Sequence, residues 1–182
     1  MPAYTYMLDT NVFNHVLDGR INIDDLDGLT FAATHIQSDE LRNTKDEIRR
    51  AKLLGIFSRL IEHPEPTNTF VAGVSVAGGA RVGSGGMVPT ESAIWGVSRW
   101  GEAKWGVGDG IFTGMRQELD ALNKGKRNNV HDALIAETAI RNNFILITSD
   151  SDLFLIATKY GGACGNIFIL KSASKSLPQT TD

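Results

Sequence analysis

"NNVHDALIAETAIRNNFILITSDSDLFLIATKYGG", residues 128–162, sets out a helix, a strand and a second helix in succession. Its first part, 128–143, places small and apolar residues between two asparagine pairs and predicts a helix that begins near Asn128 and Asn129. "FILIT" (144–148) is a short, unbroken apolar run, the texture of a strand covered on both faces. "SDLFLIATKYGG" (151–162) predicts a short helix that stops at Gly161. A helix leading into a buried strand and out into another helix is the repeating unit of a parallel sheet with helices on both sides.

The same rhythm opens the chain. "YTYML" (4–8) predicts a strand, and "NVFNHVLDG" (11–19) a helix with apolar positions 12, 13, 16 and 17 and a stop at Gly19. "INIDDLDG" (21–28) is an acidic loop and "LTFAATHI" (29–36) a second strand. Ser38 then caps one long helix through Leu41, Ile48, Ala51, Leu54, Leu60 and Ile61, closed by Pro64 and Pro66. Later, "GIFTGMRQELDALNKG" (110–125) predicts a helix and "NIFIL" (166–170) a final strand. The expected fold is therefore a three-layer α/β/α domain over residues 1–172 with a central, mostly parallel sheet, followed by a flexible tail at 173–182.

One segment breaks the rhythm. Residues 64–109 are rich in glycine and carry Trp95, Trp100 and Trp105 at five-residue intervals, a period of neither helix nor strand. This reads as an insertion: a flap in which Trp or Arg99 stacks on bases, a partner-binding surface, or a segment whose tryptophans pack on the domain.

Composition narrows the class. The 182 residues are 42% hydrophobic and 21% charged, ordinary for a soluble domain, and the net charge of −3 is not that of a passive nucleic-acid binder. Cys164 is the single cysteine, so no intramolecular disulfide forms and a reducing compartment is expected. The first 15 residues hold Asp9 and no basic stretch, and no apolar run approaches the roughly 20 residues that span a bilayer. A cytoplasmic protein without a membrane partner is the expectation.

In a parallel α/β sheet, ligands bind beyond the carboxyl ends of the strands. Asp9 follows the first strand, Glu40 lies just after the second, and Asp150 stands two residues beyond "ILIT". Asp132, near the start of the helix before that strand, is brought to the same edge by the crossover. Taken singly, each acid suits a helix N-terminus, where the dipole favours it. Taken together, four carboxylates at one rim repel one another and need counter-charge, for which a hard divalent cation such as Mg²⁺ is the natural choice. Glu137 is five residues past Asp132, about 140° around a helix, and is expected at the surface. Arg42, Lys45, Arg49 and Arg50 on one helix, and Lys124, Lys126 and Arg127 before another, are either phosphate contacts or solvated faces.

"MLDTNVF" (7–13), "HIQSDELRNT" (35–44) and "NNVHDALIAETAIRNNFILITSDSDL" (128–153) together resemble the signature of the PIN-domain nucleases, the family that includes VapC-like toxins. The likeness spans roughly residues 4–63 and 110–170. It implies that Asp9, Glu40, Asp132 and Asp150 form an acidic metal site, with Asn11 and Thr148 at the polar positions that support the carboxylates and Asp152 at an often acidic or polar position. It also implies Mg²⁺- or Mn²⁺-dependent hydrolysis of RNA, and leaves room for an antitoxin protein and a homodimer as partners. A non-catalytic PIN-like module that binds RNA or protein is the alternative, although no acid of the set is missing. An aspartyl phosphatase ranks last, because Asn11 stands where that chemistry expects a second Asp.

Overall fold

Tyr6 and Leu8 face one way and Met7 the other, and this period-two alternation divides the molecule into two cores. The strand that carries them, β1 (Thr5–Leu8), is central in a four-stranded parallel sheet of order β2-β1-β3-β4, with β2 at Thr30–Ala32, β3 at Ile145–Ile147 and β4 at Cys164–Gly165. The structure is a computed structural model and describes residues 4–69, 71, 110–126 and 128–175. The described helices are α1 (Thr10–Leu17), α2 (His35–Arg42), α3 (Glu47–Leu60), α4 (Ile111–Asn123), α5 (Asn129–Arg141), α6 (Ser151–Lys159) and α7 (Ile167–Lys175).

The register aligns Met7 with Ala32 and Leu146, and those three pack with α4, α5 and α6. Tyr6 aligns with Phe31 and Ile145 on the opposite face, which α1, α3 and α7 cover. Helices cover both faces of the sheet, the two central strands β1 and β3 are the most apolar and buried, and the architecture is a three-layer α/β/α sandwich. None of the described helices is long and apolar enough to cross a membrane.

Three expectations are corrected. The long helix after the second strand is two helices. β2 ends at Ala32 and Thr34 caps α2, in a capping box closed by Gln37. Gln37 also donates from Nε2 to the Leu8 carbonyl at 2.9 Å, fastening α2 to the end of β1. Ser38 therefore lies inside α2, and Asp46 starts α3 by accepting the Arg49 amide at 2.9 Å. Arg42 ends α2, Lys45 lies in the link, and Arg49 and Arg50 belong to α3, so the four basic residues do not share one helix.

"NIFIL" is not a strand. Asn166 accepts the Phe168 amide at 3.0 Å, and Ile167 and Leu170, three apart, are buried while Phe168 and Ile169 are exposed. That spacing belongs to α7, which also takes the expected tail through Lys175 into a helix. The remainder of the tail, Arg127 and most of the 64–109 insertion, including the three tryptophans and Arg99, lie outside the described residues.

Glu137 is not at the surface. It is 0% exposed, in an α5 whose residues Ala133 to Ala139 are all buried. Because α5 packs on the sheet, α4 and α6 together, it has almost no solvent face.

Two helical glycines give opposite expectations for one substitution. A Cβ on Gly55 in α3 meets nothing within 4 Å, so Gly55→Ala is expected to stabilise the protein by about 1 kcal/mol. On Gly114 in α4 the added carbon falls on the Tyr160 ring, whose hydroxyl donates to Glu118 at 2.9 Å. Gly114→Ala is therefore expected to destabilise, by about 1 kcal/mol. Urea melts of the two variants check both signs.

Candidate active site

Asp9 is the first residue beyond β1 and the N-cap of α1, and it is 3% exposed. Its amide donates to the Ile147 carbonyl at 3.0 Å, which fixes its backbone across the β1–β3 seam. Three donors satisfy the carboxylate: the Thr10 amide on Oδ1 at 2.7 Å, and Asn11 Nδ2 at 3.1 Å and Thr148 Oγ1 at 2.8 Å on Oδ2. Asn11 and Thr148 thus contact the Asp9 carboxylate directly. Burial pushes its pKa up to about 6, and the Glu40 charge adds to this against the pull of those three bonds.

Thr148 follows β3 and also accepts the Asp150 amide at 3.0 Å. Asp150 caps α6 with one oxygen, Oδ1, which takes the amides of Asp152 at 2.8 Å and Leu153 at 3.1 Å. Asp152 lies in the first turn of α6, half-buried, with only its backbone in this cap. The turn between Thr148 and Asp150 is tied to α1 by His15, whose Nε2 lies 3.0 Å from Ser149 Oγ.

Glu40 reaches the rim from α2. Thr10 Oγ1 donates to its Oε2, and His131 Nδ1 donates to its Oε1 at 2.7 Å. His131 and Asp132 stand in the first turn of α5. Where that turn begins is set by Asn129, which donates to Asp120 Oδ1 at 2.6 Å and exchanges hydrogen bonds with Asn123, clamping α5 to α4.

Asp132 is the carboxylate with no donor. No group among the described residues hydrogen-bonds its oxygens. Burial first, then the charges of Asp9, Glu40 and Asp150, push its pKa up to about 8, with His131 acting in the opposite direction. Four acids from residues 9, 40, 132 and 150 are therefore electrostatically coupled at the carboxyl edge of the sheet. Among the described residues no three His, Cys, Asp or Glu side chains close on a single point as a finished metal cage. Much of the donor capacity of Asp9, Glu40 and Asp150 is turned onto protein N–H and O–H groups instead. The donor chemistry, all hard oxygen and net negative, fits a divalent ion that keeps several of its own waters.

Of the expected basic contacts, Arg49 is spent on Asp18 at 2.9 Å and Asn14 at 2.9 Å, and Arg50 on the Thr44 carbonyl at 3.0 Å. Arg42, Lys45, Lys124 and Lys126 are exposed. Sequence reasoning missed Thr10 and His131. The available signal was adjacency, since each directly flanks an acid of the set, but their shared partner Glu40 is 30 and 91 residues away.

No protein-family model and no curated protein matches the chain. Solved structures do resemble it. One is VapBC2 from Rickettsia felis bound to a DNA fragment from their promoter (17% identity, 89% of this chain and 98% of that chain, TM-score 0.46). Another is VapBC-5 from Mycobacterium tuberculosis, a member of the VapBC family of toxin-antitoxin systems (19%, 91% and 98%, 0.40). A third is FitAcB from Neisseria gonorrhoeae (17%, 88% and 96%, 0.41). At these identities and scores, the chemistry has to be argued from this chain's own residues.

Proposed function

We propose that the protein is a metal-dependent endoribonuclease that hydrolyses RNA phosphodiester bonds to leave a 5′-phosphate and a 3′-hydroxyl. The observation that carries this reading is the placing of Asp132, a half-buried carboxyl without a donor, beside three other acids, so that burial first and their charges second hold its pKa up. Such a cluster is costly alone and becomes favourable around a cation. Asp9, Glu40, Asp132 and Asp150 would hold Mg²⁺ or Mn²⁺. When bound, that ion supplies counter-charge, a lowered pKa for water and stabilisation of charge on phosphorus.

The chain's own residues supply rigidity. Thr148 and Asn11 both donate to one oxygen of Asp9, Oδ2, whereas Oδ1 accepts the Thr10 amide alone and keeps a lone pair for a ligand. Thr148 in addition fixes the backbone of Asp150, so one hydroxyl sets the spacing of two acids. Asp152, beside them, is a supporting residue rather than a ligand. The motif resemblance extends the proposal to a toxin role with an antitoxin partner, to a homodimer and to a cytoplasmic setting.

The test is cleavage of a mixed RNA pool with and without Mn²⁺, wild type against Asp9→Asn, with the cut ends sequenced. Metal-dependent cuts bearing 5′-phosphates are expected for the wild type, reduced about 10³-fold or more in the variant. Equal cutting by both proteins would sink the assignment, as would full activity of Asp150→Asn.

A further inference from the structure

We propose that His131 is a positioning residue that holds the Glu40 carboxylate in place, so that the cation affinity of the acid cluster depends on an imidazole outside the acidic set. The inference rests on the nuclease reading above and adds to it a residue that the family motif does not supply.

Three acids are strung together by two clips. Thr10 donates its amide to Asp9 and its hydroxyl to Glu40. His131 donates from Nδ1 to the other Glu40 oxygen at 2.7 Å, and its backbone neighbour is Asp132. A carboxylate is acceptor-only, so the imidazole nitrogen facing it is the protonated one. Glutamate is otherwise a rotamer-rich side chain, and its ordering has to be paid before it can serve a ligand. Here both oxygens are already held, from α1 on one side and α5 on the other. Without the ring, Glu40 keeps a single donor and is free to swing away from Asp9 and Asp132, which repel it. The imidazole is also the one side chain besides the threonine hydroxyl that donates to Glu40 among the described residues.

The role predicts a pattern in the isolated full chain. Mn²⁺ binding is followed by loss of the free-ion EPR signal, and melting is recorded in EDTA. His131→Ala is expected to weaken Mn²⁺ binding about 10–100-fold, the usual effect of losing a group that orients a ligand, while its melting temperature in EDTA stays close to wild type. His131→Asn, whose amide nitrogen branches from the same carbon as Nδ1, is expected to recover most of that affinity. Unchanged Mn²⁺ affinity in His131→Ala overturns the role, and so does an asparagine variant as weak as the alanine one. A His131→Ala protein that is unfolded in EDTA also overturns it, because the ring would then be a prop of the fold. Wild-type protein that binds no Mn²⁺, or binds it as well after Asp9→Asn, instead overturns the nuclease reading on which this rests.

Discussion

Asp132→Asn is expected to abolish metal-dependent RNA cleavage, by about 10³-fold or more, and at the same time to raise the melting temperature of the metal-free protein. The two effects have one cause. Asp132 sits in the first turn of α5 with no hydrogen-bond donor, and burial together with Asp9, Glu40 and Asp150 pushes its pKa up to about 8. Without a cation, the folded chain at neutral pH must hold an uncompensated charge or bind a proton that the unfolded chain does not bind, and both are unfavourable. Asparagine has neither cost. Its gain is about 1–2 kcal/mol after allowance for solvent access, or roughly 2–8 °C in a domain of this size. The pH dependence has a definite sign. A carboxyl raised on folding costs nothing below its unfolded value near 3.8, costs more as pH rises, and costs the full amount above about 8. The advantage of Asp132→Asn in EDTA should therefore be larger at pH 8 than at pH 5. Mn²⁺ should reverse the ranking by stabilising the wild type alone. A variant less stable than wild type in EDTA at pH 8 would show that Asp132 is not the strained member of the cluster.

The acid rim was legible because it rests on features that are local in sequence. A short apolar run followed by Asp9, and another followed by Thr148 and Asp150, fix where strands end, and a parallel sheet brings strand ends together. Helix boundaries failed where two caps competed. Thr34 and Ser38 are both sound N-cap residues, and the choice was made by Gln37, which closes the box on Thr34 and bonds the Leu8 carbonyl 29 residues away. "NIFIL" failed because a buried-strand run and a short helix with apolar residues three apart look alike over five residues. His131 was illegible for a plainer reason: its function depends on a partner 91 residues distant, and nothing local in "NNVHD" distinguishes it from a surface histidine.

Glu137 failed in a way that leads to the second large effect. Five residues past Asp132 it lies about 140° around the helix, but a helix packed on several sides has no free face for it to turn to. Its Oε1 accepts from Thr69 Oγ1 at 2.9 Å and from Arg141 Nε at 2.9 Å, and its Oε2 is buried with no hydrogen-bond partner. Through Thr69 it fastens the buried stretch Thr67–Thr69 to α5. Glu137→Ala would leave the Thr69 hydroxyl buried without its acceptor, remove the carboxylate facing Arg141 and open a cavity. Breaking one side of a buried pair in this way costs about 3–5 kcal/mol, which corresponds to a fall in melting temperature of roughly 6–20 °C. Glu137→Gln keeps an oxygen for Thr69 and loses only the charge, so about 1–2 kcal/mol is expected. Neither variant touches the acid rim, so cleavage per folded molecule, measured well below the melting point, should match wild type. Asp132→Asn and Glu137→Ala thus separate along opposite axes although they lie in one helix: the first gains stability and loses the chemistry, the second loses stability and keeps it. A Glu137→Ala protein that melts within about 2 °C of wild type would mean that the buried ion pair contributes nothing net and that α5 can close over the gap.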